Sequence, residues 1–304
     1  MVFRLVKAIN KMKIVVGIPA CNEEKNIASI IAKLLNLSYS VIVCNDGSTD
    51  MTGVIAEKMG AIVVNHSRNL GYGSAIGSIF SKAKELDYDV LVTFDADGQH
   101  RVEDIKPILE PIISDDVDVT VGSRFLGQNK NQIPKYREIG IKTITKLANA
   151  TSKNKITDAQ SGFRAYNNKA LQEIVPSEHG MGVSTEILIK ANKKGFKIVE
   201  VPITVLYDGD TSTHNPASHG ISVILSTMKF ISIERPLVFY GIPGLVMFGI
   251  GLFFIVWVIQ AFTETREIIT NVTLIGIGST IIGVILMMTA ILLYSMVNIV
   301  REKR

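Results

Sequence analysis

Two kinds of apolar pattern alternate along the first two hundred residues. Short runs rich in β-branched residues are followed by segments whose apolar positions recur every three or four residues. "KIVVGIPA" predicts a strand closed by Pro19. "NEEKNIASIIAKLLNL" then places Ile27, Ile30, Ile31, Leu34 and Leu35 on one helical face. "SVIVCND" predicts a second strand, "TDMTGVIAEKMG" a short helix and "AIVVNH" a third strand. "GYGSAIGSIFSKAKEL" reads as a helix, "DVLVTFDAD" as a fourth strand, "VEDIKPILEPI" as a helix and "VDVTVGS" as a fifth strand. Near-continuous apolar strands separated by helices predict an α/β fold with a mostly parallel sheet covered on both faces. In such sheets ligands bind beyond the carboxyl ends of the strands, so the strand-end residues carry the information.

The pattern changes near residue 237. Leu237 to Phe262 is uncharged over 26 residues, and Val272 to Val300 forms a second uncharged run. A helix of the first length spans about 39 Å, enough to cross a bilayer with some tilt. This predicts a C-terminal hairpin of two transmembrane helices, 237–262 and 272–300. Lys229 and Arg235 precede the first run, and Arg301, Lys303 and Arg304 follow the second. The connecting "TETREIITN" has one Arg against two Glu. The Lys/Arg bias predicts a two-span membrane protein with both termini and the large domain, residues 1–215, on the cytoplasmic side. Residues 216–236 mix apolar positions with Lys229, Glu234 and Arg235, and read as an interfacial helix lying on the bilayer.

Composition narrows the function. A net charge of +4 over 304 residues, with no long basic run except the closing "REKR", argues against a nucleic-acid partner. Cys21 and Cys44 each end a short apolar run and read as small core residues. The start "MVFRLVKAINKMK" has its apolar residues interrupted by charge and does not read as a secretory leader.

The strand ends carry the chemistry. The first gives "IPACNEE", with Asn22 and Glu23; the second "CNDGSTD", with Asp46, Ser48 and Asp50; the fourth "FDADGQH", with Asp95 and Asp97. Each alone also reads as a turn or helix cap. Parallel strands would bring all three to one crevice. Side chains alternate along an extended strand, so Asp95 and Asp97 are expected on one side with Ala96 opposite. No G-x-G-x-x-G follows the first strand, which disfavours a dinucleotide-binding oxidoreductase. Gly71 and Gly73 serve either as a plain helix-initiating loop or as a close approach of backbone to a phosphate or sugar.

In their order, "IPACNEE", "NDGSTD", "NLGYGSA", "DADGQH" and "VGSRF" resemble family 2 glycosyltransferases of the GT-A fold. The later "DAQSGFRAY" and "STEILIKANKKGFKIVEVPI" resemble the branch that loads sugars onto polyprenyl or dolichyl phosphate. The resemblance spans residues 13–206. It implies a donor site of Pro19, Ala20, Asn22, Glu23, Asp46, Ser48, Gly71, Gly73, Asp95, Ala96 and Asp97. It implies Mg²⁺ or Mn²⁺ on Asp95 and Asp97, with Gln99 as a further ligand. Arg124, Arg137 and Arg164 would face the acceptor phosphate, and Asp158 would orient it or act as a weak base. The implied partners are a nucleotide-diphosphate sugar, a dolichyl or polyprenyl phosphate and the bilayer; a homo-oligomer is left open. The chemistry is consistent with these roles. A departing diphosphate needs a cation, and Mg²⁺ needs only one or two protein carboxylates besides phosphate oxygens. The acceptor, a phosphate monoester, is largely dianionic at neutral pH and needs arginines more than a base. Direct attack would invert the anomeric carbon.

The sequence departs from the pattern in two places. The mannose-transferring branch carries an Arg and a Ser-Lys pair after the last strand, whereas "YDGDTSTHNPASHG" has no Arg or Lys. This favours UDP-glucose or UDP-N-acetylglucosamine over GDP-mannose. A serine of the family, four residues past Arg137, is Ile141 here. A processive polysaccharide synthase is excluded, because its Gln-X-X-Arg-Trp motif needs a Trp outside the membrane and Trp257 lies within the first apolar run. Glu186 reads as a helix-start carboxylate. His100, His214 and His219 read as solvated. A non-catalytic nucleotide-binding membrane protein is the remaining alternative, and it predicts a broken Asp-X-Asp pair.

Overall fold

A computed structural model describes residues 12–114, 117–126, 135–150, 155–205, 228, 232 and 236–302. The chain forms two compact units, Met1–Thr227 and Met228–Arg304. The first is built on a seven-stranded sheet in the order β3-β2-β1-β4-β6-β5-β7. The strands are β1 Ile14–Ala20, β2 Ser40–Asn45, β3 Ile62–Asn65, β4 Val90–Thr93, β5 Val119–Ser123, β6 Arg164–Asn167 and β7 Ile198–Pro202. β1 pairs in parallel with β2 and β4, β2 with β3, and β5 with β7. β6 runs antiparallel to both of its neighbours, β4 and β5. The sheet is therefore mostly parallel but mixed. A sequence-based succession of parallel strands misses β6, because "RAYN" is too short and too polar to stand out.

Helices cover both faces, and the central strands are buried as a continuous apolar run should be. Helix α1, Ile27–Asn36, buries Ile27, Ile30, Ile31 and Leu34. Each such side chain contributes about 1.5–3 kcal/mol on leaving water. Leu35, expected on the same face, is exposed. The other helices of this unit are α2 Thr52–Lys58, α3 Tyr72–Glu85, α4 Ile105–Ser114, α5 Lys135–Ala150, α6 Asn168–Glu173 and α7 Val183–Lys193. One cluster, with Val16, Ile18, Ile31, Phe94 and Phe163, forms the core on one face of the sheet. A second, with Val15, Ile79, Leu91, Tyr166 and Leu188, forms it on the other. These cores hold the strand ends rigid.

The second unit is a helical hairpin. A π-helical turn, Leu237–Gly241, leads into α8, Ile242–Thr265, and α9 follows at Thr270–Glu302. Both helices are long and apolar enough to cross a membrane, with only 11% of the most apolar stretch of each buried. They meet through small residues. A Cβ on Gly251 would lie 2.3 Å from Thr280 Oγ1, and one on Gly283 would lie 2.5 Å from the Phe248 nitrogen. Such close backbone approach is how helices associate where lipid removes the hydrophobic drive. The expected interfacial stretch 216–236 lies outside the described residues except at positions 228, 232 and 236.

Candidate active site

β2, β1 and β4 are adjacent and parallel, so their carboxyl ends share one edge of the sheet. Asn22, just past β1, adopts a left-handed backbone with φ 57°. Its Oδ1 accepts the Thr49 N–H at 2.8 Å, and its own N–H donates to Ser48 Oγ at 3.0 Å. The Glu23 N–H donates to Thr52 Oγ1 at 2.8 Å. The two strand-end motifs are thus sewn together by their own polar side chains. Pro19 and Ala20 are buried beneath them.

Asp46, to which the resemblance gives a nucleobase contact, is tied into the loop before α3. Its Oδ1 accepts the Leu70 N–H at 2.9 Å and meets His66 Nδ1 at 2.7 Å, while Oδ2 accepts the Gly71 N–H at 2.9 Å. The residue is 3% exposed, so it shapes the loop before α3 instead of facing solvent. The glycines of that loop also change role. A Cβ on Gly73 would lie 2.0 Å from the Glu178 carbonyl oxygen, and one on Gly71 would lie 2.5 Å from that of His179. The space is filled by the chain's own segment 178–180, which accepts the Gly73 N–H at 2.8 Å. It is not left for a phosphate. Glu186, in the first turn of α7, anchors that segment by accepting the N–H groups of Ser177 and Glu178, the Ser177 hydroxyl and Lys190 Nζ.

The Asp-X-Asp pair does not continue the strand. β4 ends at Thr93, and Ala96 and Asp97 sit in a turn. Asp97 Oδ1 accepts the Gln99 N–H at 2.9 Å and Gly98 takes φ 73°, a local turn that side-chain acceptors favour. Ala96 still points into the core while both carboxylates remain partly exposed. Asp95 is held from two sides, by the Tyr72 hydroxyl at 2.9 Å and by His100 Nε2 at 3.3 Å. Burial opposes its charge. His100, Tyr72 and Arg124 outweigh that and keep the carboxyl below the usual range. His100 is not solvated: its side chain is 9% exposed and its ring lies against Phe94 and Phe163. His214 and His219 lie outside the described residues.

Glu23 shows how acidic this corner is. Burial first, then the charges of Asp97, Asp50 and Asp95, push its carboxyl up against the pull of Asn26. Among the described residues no three His, Cys, Asp or Glu side chains converge as a ready metal cage. The donor set instead fits a hard cation held by one or two carboxylates, with phosphate oxygens and water completing the shell.

The motif "SGFR" explains itself from this corner. A Cβ on Gly162 would lie 2.5 Å from the Tyr72 hydroxyl and 2.9 Å from Asp95 Oδ2. Phe163 packs under Phe94 and His100. Arg164 is 1% exposed and donates to the carbonyls of Ser184 at 2.6 Å and Ala159 at 2.9 Å. It is thereby removed from the acceptor arginines: a guanidinium enclosed this way braces the loop behind the site.

The remaining acceptor residues lie beyond β5. Arg124 Nε and Nη2 donate to the two oxygens of Asp158 at 2.6 and 2.7 Å. Burial disfavours the Asp158 carboxylate, but Arg124 and further N–H donors more than compensate and hold it below the usual range. A fully buried, strongly held carboxylate is a poor base, so of the two expected roles the geometry supports orientation. Arg124 keeps 18% of its side chain exposed and is the member of the pair that can touch a ligand. Arg137 falls in the first turns of α5, and its side chain lies outside the described residues. Cys44 is no nucleophile, since burial and then Asp46 push its thiol up to about 12.

Sequence reasoning missed Tyr72, His100 and Glu200. Tyr72 is the one large residue between two glycines of "LGYG", and Glu200 interrupts the apolar "IVEVP"; both irregularities were legible signals.

A mostly parallel, mixed sheet with polar turns past β1, β2 and β4 places this domain in the α/β class. Residues 15–175 match the model of the family described as Glycosyl transferase family 2, and the chain belongs to that family of glycosyltransferases. It is 35% identical to UDP-N-acetylglucosamine--dolichyl-phosphate N-acetylglucosaminyltransferase of Methanococcus voltae, covering 62% of this chain and 84% of that one. It is 31% identical to a dolichyl-phosphate hexose transferase of Haloferax volcanii, covering 70% of this chain and 92% of that one. In fold it is similar to glucosyl-3-phosphoglycerate synthase of Mycobacterium tuberculosis, solved with Mn²⁺, uridine diphosphate and glucosyl-3-phosphoglycerate. That match has a TM-score of 0.56 at 19% identity, covering 76% of this chain and 84% of that one.

Proposed function

We propose that this glycosyltransferase moves a hexose from a nucleotide-diphosphate sugar to dolichyl or polyprenyl phosphate, with UDP-glucose or UDP-N-acetylglucosamine as donor. The observation that carries the reading is the placement of two opposed charged groups on one edge of the sheet. The acidic corner of Glu23, Asp95 and Asp97 lies past β1 and β4, and the Arg124–Asp158 pair lies past β5. The names of the Methanococcus and Haloferax relatives and the two membrane-length helices support a lipid-borne acceptor.

In this reading Asp95 and Asp97, with Gln99 beside them, hold Mg²⁺ or Mn²⁺. When bound, the cation neutralises charge developing on the leaving diphosphate. Tyr72 and His100 keep Asp95 ionised and fix its direction. Arg124 draws the acceptor phosphate into line, and Asp158 holds the guanidinium plane without accepting a proton. The catalytic domain stands on the cytoplasmic side.

Full-length protein in membranes, given dolichyl phosphate, Mg²⁺ or Mn²⁺, and in separate arms UDP-glucose, UDP-N-acetylglucosamine or GDP-mannose, tests this. Lipid-linked sugar from a UDP donor, abolished by a chelator, is expected. Transfer from none of the donors overturns the function, and transfer from GDP-mannose alone overturns the donor preference.

A further inference from the structure

Glu200 is a half-buried carboxylate in β7, opposite Val121 of β5. It points its oxygens at the loop that carries Asp158. Oε2 accepts the Thr157 N–H at 2.8 Å. Oε1 accepts the Asp158 N–H at 2.9 Å and the Thr157 hydroxyl at 3.1 Å. With its proton given to Glu200, Thr157 Oγ1 can only accept from Ser123 Oγ, 2.7 Å away, and Ser123 Oγ in turn accepts the Phe125 N–H at 3.2 Å. The hydrogen bonds therefore run in one direction, from the residues flanking Arg124 through Thr157 to Glu200. The same carboxylate holds both ends of the ion pair: Asp158 through its N–H, and Arg124 through its neighbours Ser123 and Phe125.

We propose that Glu200 is a positioning residue for the acceptor side of transfer, fixing the Asp158 loop so that Asp158 sets the plane of Arg124. The inference rests on the reading above, in which Arg124 meets the acceptor phosphate. It explains why a second carboxylate is kept beside Asp158. Burial and then, more weakly, the Asp158 charge push the Glu200 carboxyl up even though three donors oppose them, a cost that a surface glutamate would avoid. Glutamine at this position retains one acceptor oxygen but turns N–H₂ toward a backbone N–H, which breaks one leg of the clamp.

The test is steady-state transfer by full-length wild type, Glu200→Gln, Arg124→Lys and the double variant, with Thr157→Val as a gentler second probe. Glu200→Gln should raise KM for dolichyl phosphate about tenfold, as expected for a charged hydrogen bond lost. KM for the nucleotide sugar should stay within about twofold. In the Arg124→Lys background Glu200→Gln should add almost nothing, because residues acting as one unit are non-additive. Thr157→Val should shift acceptor KM in the same direction by about threefold. Equal changes in both KM values, or full additivity with Arg124→Lys, overturn the proposal and leave the overall function standing. If Glu200→Gln fails to fold, an unchanged acceptor KM in Thr157→Val overturns it alone. Loss of lipid transfer by the wild type overturns both readings together.

Discussion

The two charged rims along this edge of the sheet handle charge in opposite ways. On the β1–β4 rim, burial first and then the charges of Asp97, Asp50 and Asp95 push the Glu23 carboxyl up. On the β5–β7 rim, Asp158 is more deeply buried and yet ionised, because Arg124 lies within 2.6 Å. Glu23 faces the charges of three other carboxylates, while Asp158 has a guanidinium in direct contact. Burial opposes the charge of both carboxylates, and a guanidinium in direct contact reverses that only at Asp158. In the function proposed above the first rim is where a cation would be held, and the second keeps its own shape through the Arg124–Asp158 pair.

This contrast can be broken experimentally. The largest effect is expected from Asp97→Ala, which should lower transfer at least about a thousandfold and flatten its dependence on Mg²⁺ or Mn²⁺. Initial rates across a metal titration measure it, and activity retained at ordinary metal levels contradicts the metal role. Next come the two members of the ion pair. Arg124→Ala leaves an enclosed carboxylate without its partner and should cost about 3–5 kcal/mol. Asp158→Ala leaves a guanidinium that already reaches water and should cost roughly half as much. Denaturant unfolding of both variants decides this, and equal losses would remove the asymmetry. The pH dependence carries a sign. Asp158 is held below its unfolded value of about 3.9, so its contribution is complete above that value and is lost as pH falls through the folded one. The gap between wild type and Arg124→Ala should therefore close in acid.

The smallest effect sharpens the first rim. Glu23 is held above its unfolded value, so its contribution is complete at low pH and is lost as pH rises through the folded value. Glu23→Gln should then raise the metal-free unfolding temperature near neutral pH by about one degree, since the site is partly exposed and screened. Thermal unfolding with and without Mn²⁺ reads the difference. A lower temperature without metal would mean that Glu23 is not strained.

Much of this was legible in the chain. The apolar bodies of β1 and β2 follow from their β-branched runs and the run from Leu237 needs only counting, whereas β4 stops at Thr93, short of the Asp-X-Asp pair its run is expected to carry. What periodicity does not carry is the destination of a side chain. Asp46 and Asp95 look alike in sequence, each at a strand end before a glycine-containing turn. One is committed to the loop before α3 and the other to Tyr72 and His100, because α3 starts between them in space. Arg164 is given to the acceptor by the resemblance alone; its backbone partners are Ala159, five residues before it, and Ser184, in the first turn of α7, and no local pattern reveals that they enclose it. β6 escapes a reading of apolar runs because "RAYN" is short and polar, and its antiparallel pairing is a property of topology.

That antiparallel strand has a consequence for what evolution can adjust. β6 separates β4 from β5, so the turn bearing Asp95 and the turn bearing Arg124 stand two strand spacings apart, about 9–10 Å. The interval is written in backbone hydrogen bonds, not in side chains. Point substitutions can alter what is held at either end, but not the gauge between the ends. New donors and new acceptors must be found within a fixed width, and only an insertion or a lost strand would change it.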